Sequence, residues 1–155
     1  PQTSVAVRNG DKIKYGLGIN LEQDINENVG FFMRAMKADG KTETLAFTET
    51  DRSISTGLSV KGSSWKRPSD TLGIGFLCNT ISKGRRDYLA AGGISFFLGD
   101  GYLNYKPEQT FETYYSLNAW KSFYITADYQ RIWNPGYNAD RGPVDFGAVR
   151  LHMDF

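Results

Sequence analysis

Two short segments of the 155-residue chain carry residue types that are associated with ligand binding. DINENVG (24–30) resembles a calcium-binding loop, but Gly30 falls one position late and no Glu stands at the twelfth position. GLGINL (16–21) has two glycines, without the third glycine and the following helix of a dinucleotide site. We interpret the first segment as a hairpin turn and the second as a strand whose glycines leave room on one face.

The single histidine, His152, lies near Arg150 on the last predicted strand. No nucleophile-elbow motif accompanies it, so the sequence gives no positive sign of a Ser-His-Asp site. We therefore predict no catalytic residues, no metal ligands and no cofactor, and we expect that the chain is not an enzyme.

Composition narrows the class of protein further. Lys and Arg number 18 against 17 Asp and Glu, so no excess positive charge favours nucleic acid, and we expect no such partner. Aromatic residues make up 14% of the chain and glycine occurs 17 times, a mixture that favours strands over helices. The longest uncharged stretch (71–82) is shorter than the roughly 20 apolar residues of a membrane-spanning helix. These features predict an all-β protein.

Strict alternation of apolar and polar residues defines the strands. Residues 13–24 are the clearest case, since Ile13, Leu17 and Leu21 share one face with Tyr15 and Ile19 while the polar residues take the other. Seven strands are predicted, at 13–24, 29–38, 50–61, 71–81, 109–119, 123–133 and 144–155. Residues 3–8 are a candidate for an eighth.

The connections between these strands alternate in length. Those at 25–28, 62–70 and 120–122 are tight, while those at 39–47, 82–108 and 134–143 are longer and richer in charge and glycine. Short turns at one end and long loops at the other are typical of a transmembrane β-barrel, in which a strand of about 9–11 residues crosses the membrane. Aromatic residues cluster near the predicted strand ends, as they do at membrane interfaces. The strands of a soluble sandwich or of a lipocalin-like barrel also alternate between apolar and polar residues. A soluble, non-catalytic all-β binding domain is therefore the alternative.

Five segments, in order, carry a resemblance that covers nearly the whole chain from about residue 18. They are GINLEQDINENVGFFMRA, TETDRSISTGLSVKGSSWKRPSDTLGIG, RDYLAAGG, GDGYLNYKPEQTFETYYSLNAW and ADYQRIWNPGYNADRGPVDFGAVRLHMDF. Together they resemble the C-terminal part of the carbohydrate-selective porin family (OprB type) of bacterial outer membranes. The resemblance implies an antiparallel transmembrane barrel that lets sugars diffuse into the periplasm. It also implies contact with outer-membrane lipid, and recognition by the barrel-insertion machinery through the terminal aromatic Phe155. Assembly into a homo-oligomer stays open.

The chain is short for such a barrel. Seven or eight strands fall below the strand number of a channel-forming barrel, and bacterial single-chain barrels use even numbers. We therefore expect residues 1–155 to be a single barrel segment, the C-terminal part of a larger barrel of 16–18 strands.

The resemblance assigns one face of the strands to a channel lumen. Residues of both charge signs and two aromatic residues share that face, a mixture that offers hydrogen bonds to sugar hydroxyls and rings for the apolar face of a sugar. The predicted lining residues are Arg34, Glu112, Tyr114, Asp128, Phe146 and Arg150. As an alternative, these charges pair across strands and only brace the wall. The long segment 82–108 either folds inward as a constriction or forms an outer cap.

Overall fold

The computed structural model describes residues 13–42, 49–93, 95, 98 and 101–154, and within them seven strands form one antiparallel sheet. The strands are β1 (Gly16–Asn26), β2 (Val29–Ala38), β3 (Arg52–Gly62), β4 (Arg67–Thr80), β5 (Glu108–Trp120), β6 (Phe123–Trp133) and β7 (Val144–Met153). Each strand pairs with its neighbours in sequence, from β1 to β7. The prediction of an all-β chain with seven strands is confirmed. Residues 3–8 lie outside the described residues.

The sequence placed the start of β4 four residues too late. A single turn of 3-10 helix at Ser63–Trp65 and a left-handed Lys66 (φ 63°) complete the turn, and β4 begins at Arg67 despite Pro68. Proline is tolerated here because it is the second residue of the strand, beside a shift in register between Lys61 and Gly62.

Short and long connections lie at opposite ends of the sheet, as predicted. The short ones are 27–28, 63–66 and 121–122, and the long ones are 39–51, 81–107 and 134–143. The 81–107 connection carries the one α-helix of the described residues, α1 (Lys83–Ala90). We call these two ends the turn end and the loop end.

Cross-strand register separates the side chains into a polar face and an apolar face. On the apolar face one row runs through Leu21, Met33, Thr56, Phe76 and Phe111, from β1 to β5. On the polar face a row three residues closer to the turn end runs through Asp24, Gly30, Ser59, Gly73, Tyr114, Asp128 and Ala148. Because successive side chains of a strand point to opposite faces, the pairing register of the strands assigns every side chain of the sheet to one face or the other.

No second layer covers the apolar face among the residues that the structure describes. Leu17 and Val149 are 85% and 73% exposed, and every residue of β1 and β7 is exposed. The buried apolar side chains lie instead in the long connections, at Ile81, Leu89, Leu98, Leu103 and Tyr137. The small hydrophobic core therefore holds the loops together, and the apolar face of the sheet is left for another apolar medium.

A buried ion pair fixes α1 to the start of β3. Two nitrogens of the Arg85 guanidinium donate to the two carboxylate oxygens of Asp51, each at 3.1 Å, and both side chains are almost fully buried. The Ser82 amide donates to the same carboxylate at 2.7 Å, and the Ser82 hydroxyl caps the helix by accepting from the Arg85 amide. Lys14 approaches Asp51 to 4.0 Å from the chain just before β1.

The 134–143 connection joins the same assembly through Tyr137. Its hydroxyl lies 2.8 Å from the Thr50 hydroxyl and donates to the Glu49 carbonyl at 3.1 Å. Burial raises the pKa of Tyr137 to about 12, so the phenol stays protonated and available as a donor at ordinary pH. Tyr105 and Asn138 form a β-bridge between the 81–107 and 134–143 connections. The three long connections are therefore tied into one unit.

We predict that Arg85→Leu destabilises the folded chain by about 3 kcal/mol, because it leaves the Asp51 carboxylate buried with Lys14, at 4.0 Å, as its remaining cationic contact among the described residues. Lys83→Gln is the matched control in the same helix, since it breaks an exposed ion pair with Asp87 and should change stability by less than about 1 kcal/mol. Urea titration of the detergent-solubilised protein measures both. Equal effects of the two variants would contradict the role of the buried pair.

Candidate functional site

The six residues predicted to line a channel all lie on the polar face of the sheet. Five of them are on β5, β6 and β7, where Tyr114 is directly opposite Asp128, and Glu112 shares a row with Phe146. Arg150 lies opposite Thr126 on β6, one row closer to the turn end than the Tyr114–Asp128 pair. The sixth, Arg34, lies on β2, three strands from β5.

Arg34 is partly engaged by its neighbours on β1. Its guanidinium donates to the Glu22 carboxylate at 3.2 Å and to the Asn20 side-chain oxygen at 3.1 Å, and it lies 5.6 Å from the centre of the Phe32 ring. The Arg34 side chain nevertheless keeps 62% of its surface exposed. It therefore braces β1 against β2 and still presents donors on the polar face.

The carboxylates on this face lie close together on β5 and β6. Glu112 is beside Asp128 and directly opposite Gln130, so its neighbours include an acid and an amide. Across the sheet, Arg34 and Arg150 add positive charge on β2 and β7. The polar face thus offers donors and acceptors without a field of one sign.

Two aromatic rings lie over glycines of the polar face. A Cβ atom at Gly73 would overlap the Tyr114 ring, and one at Gly57 would overlap the Phe32 ring. The missing side chains let each ring lie against the backbone of the next strand. The sequence analysis did not identify Phe32, Gly57 or Gly73 as members of one arrangement. Alternation places Phe32 on the face of Arg34, but only the register shows which glycine it covers.

The apolar face carries a band of exposed apolar side chains that crosses the strands obliquely. At the loop end the band is bordered by charged residues, Lys37 and Arg52 on β2 and β3, and Arg131 and Asp145 on β6 and β7. The second pair lies two side-chain rows, or four residues, closer to the turn end than the first. The border is therefore tilted with respect to the rows of paired residues.

The slope of this border gives the strand tilt. Strands lie about 4.8 Å apart and each residue advances about 3.4 Å, so four residues over the four steps from β2 to β6 correspond to a tilt of about 35°. This value lies in the range of about 35–45° found in transmembrane β-barrels.

Aromatic residues and one buried acid mark the turn-end border of the band. The Trp65 indole donates to the Tyr115 hydroxyl at 2.9 Å, and that hydroxyl donates to Asp70 at 2.5 Å. Asp70 also accepts from the Arg67 guanidinium and from the Asn118 amide, and only 1% of it is exposed. A buried carboxylate that is paired with an arginine and lies beside aromatic side chains is suited to the boundary between hydrocarbon and water.

The described residues contain no group of three or more His, Cys, Asp or Glu side chains placed to hold a metal ion. None of the helices in the described part of the chain has the length and apolarity to span a membrane.

Comparison with known proteins identifies relatives of this sheet. The family model described as carbohydrate-selective porin, OprB family, matches residues 2–155. Among solved structures, the chain is similar to the high-pH structure of Pseudomonas putida OprB, with a TM-score of 0.55 and 23% sequence identity. The alignment covers 79% of this chain and 29% of that chain, and at this identity it shows a shared fold. No curated protein sequence matches the chain.

Leu17 on β1 and Ile125 on β6 both point to the apolar face of the sheet. We expect Leu17→Arg and Ile125→Arg each to cost about 2–4 kcal/mol, as for Arg near the middle of a bilayer. Thr126→Arg is the matched control, since Thr126 neighbours Ile125 but lies on the polar face. Equilibrium unfolding by urea in phosphatidylcholine vesicles measures all three. A loss of stability in Thr126→Arg as large as in Ile125→Arg would show that the faces are assigned wrongly.

Proposed function

Because the chain belongs to the OprB family of carbohydrate-selective porins, we propose that its seven strands form part of the wall of a channel through which sugars diffuse passively. The family is one of outer-membrane porins of Gram-negative bacteria, and this is the location of the chain. The observation that carries the proposal is the contrast between the faces. The outward face is an exposed apolar band at a membrane-like tilt, and the opposite face is polar with both signs of charge.

The wall needs further strands. Among the described residues, β1 pairs only with β2 and β7 only with β6, so each has one edge whose backbone groups have no strand partner. Such edges are not tolerated in hydrocarbon. The chain spans 29% of the length of Pseudomonas putida OprB. We infer that it is the C-terminal part of a larger barrel of about 16–18 strands, the size that encloses an aqueous channel.

Sugar selectivity, in this proposal, comes from rings and paired polar groups on the lumen side. Tyr114 lies over the backbone at Gly73 and directly opposite Asp128, so an aromatic surface and a carboxylate acceptor are adjacent. Phe32 and Arg34 give a second aromatic and charged pair on β2. A sugar moving along the wall would exchange hydrogen bonds with water for hydrogen bonds with these groups. Partial bracing of Arg34 by Glu22 is compatible with this role, because most of its side chain stays exposed.

We propose that helix α1, in the 81–107 connection, narrows the mouth of the channel from the lumen side. The helix is held by Asp51, which continues the polar alternation of Ser53 and Ser55 into the loop. Lys14, the second contact of Asp51, belongs to the polar face of β1 by the same alternation. Because the two residues Asp51 and Lys14 belong to the face that lines the lumen, the attachment of the helix favours the inward constriction over an outer cap.

The remaining partners follow from the apolar band and from family membership. Outer-membrane lipid covers the apolar band, and the barrel-insertion machinery recognises Phe155, which lies outside the described residues. Association into a homo-oligomer is compatible with the exposed band. The family is one of channels, and we propose that the chain has no catalytic activity. The alternative of a soluble binding domain is not favoured, because no layer covers the apolar face in the described part of the chain.

Liposome swelling tests the function directly. Vesicles that contain the complete barrel should swell in isotonic solutions of neutral monosaccharides at a rate that rises with the amount of protein, because the sugar enters with water. Vesicles without protein are the control. Absence of sugar entry through correctly folded barrels would overturn the proposed function.

The Tyr114 ring predicts a specific change in flux. Tyr114→Leu should reduce glucose entry at low concentration by about two- to tenfold, the effect of one aromatic contact of about 0.5–1.5 kcal/mol. Entry of glycerol, which has no ring face, should be unchanged or faster. Tyr129→Leu removes the same side chain from the apolar face of β6 and is the matched control. Equal glucose entry through both variants would show that Tyr114 does not contact the sugar.

A further inference from the structure

The loop-end border of the apolar band carries two cations that oppose each other on adjacent strands. Lys37 on β2 is the direct cross-strand partner of Arg52 on β3, and both side chains are exposed. Side chains in such a pair have Cβ atoms about 4.5–5.5 Å apart, and like charges in that position destabilise a sheet. An interaction that the sheet itself does not supply would have to offset this repulsion.

No acid of the described residues pairs with these two cations. Asp39 is two residues beyond Lys37, but its carboxylate accepts from the amides of Tyr15 and Lys41 and from the Thr42 hydroxyl. Asp51 is next to Arg52 in sequence, but its carboxylate is buried against Arg85. The described acids closest to them in sequence are therefore committed to the loops.

The charged residues on the β6–β7 part of the same border pair with each other and leave no net charge. Arg131 pairs with Asp145 at 3.4 Å, and the Tyr129 hydroxyl donates to the same carboxylate at 2.6 Å. Among the described residues, positive charge without a counter-charge is thus confined to the β2–β3 part of the border. Directly below it, toward the turn end, Ala35 and Ile54 continue the apolar band. A ligand that binds here would place an anionic group against Lys37 and Arg52 and an apolar group against Ala35 and Ile54.

We propose that Lys37 and Arg52 form a binding site for the phosphate groups of a phosphorylated lipid in the outer leaflet, whose acyl chains cover Ala35 and Ile54. The inference rests on the proposed placement of the sheet in the outer membrane, with the long loops on the extracellular side. The stems of Lys and Arg lie along apolar surface while their charged ends reach the headgroup level. Two cations on neighbouring strands then clamp one phosphate group from two sides.

Lipid A bisphosphate is the probe for this site, and dephosphorylated lipid A with the same acyl chains is its control. The full chain, purified in a neutral detergent, is titrated with each lipid, and bound lipid is counted by native mass spectrometry. Lys37→Gln/Arg52→Gln should weaken binding of the bisphosphate form about 25-fold, or about fivefold per cation, the change that corresponds to about 1 kcal/mol each. Binding of the dephosphorylated form should not change.

Lys61→Gln/Lys66→Gln is the matched control variant, because it removes the same charge at the turn end of β3 and should bind lipid A like the unaltered chain. Heat-dependent gel mobility checks that each variant is folded, and the two single variants replace the double one if it is not. Equal binding by the unaltered chain and the Lys37/Arg52 variant would overturn the site. An equal loss in the control variant, or displacement of lipid A by equimolar inorganic phosphate, would also overturn it. If the unaltered chain binds neither form of lipid, the proposed membrane function fails as well.

Discussion

The rest of the structure depends on the requirement that every backbone N–H and C=O group find a partner inside hydrocarbon. In water an exposed sheet face or edge can bind solvent, but in a bilayer each unsatisfied group costs several kcal/mol. A sheet that presents an apolar face without a covering layer, as this one does, must therefore be paired along every strand and closed at its edges. The alternation along each strand follows from this requirement, because one set of side chains contacts lipid and the other contacts water.

The thickness of the membrane adds a second constraint. A strand of 10–14 residues is longer than a band of about 25 Å needs if it stands upright, so the strands tilt and the band crosses them obliquely. By this slope the border of the band moves about one residue along each successive strand, from Lys37 on β2 to Arg131 on β6. The same slope explains why the Asp70 cluster and the Arg131–Asp145 pair are both on the apolar face without lying in its apolar centre.

Alternation was sufficient to predict the strands, the two faces and the shared face of all six lining residues, because a period of two residues is a local property of the sequence. Register is not local, so the sequence did not reveal that Tyr114 lies over Gly73 or that Lys37 opposes Arg52. The Asp51–Arg85 pair joins residues 34 positions apart, and nothing near either one indicates the other. The start of β4 was missed because Pro68 normally signals a turn, whereas a shift in register accommodates it here.

Depth-dependent fluorescence quenching tests the tilted band most directly. In a Cys78→Ala background, single labels at Ile19→Cys and Val149→Cys are quenched by lipids that carry a nitroxide at known positions of the acyl chain. The tilt of about 35° predicts that both labels lie at the same depth to within about 5 Å, although their rows are about 20 Å apart along the strand. Labels at clearly different depths, separated as their rows are, would contradict a sheet that crosses the membrane at this angle.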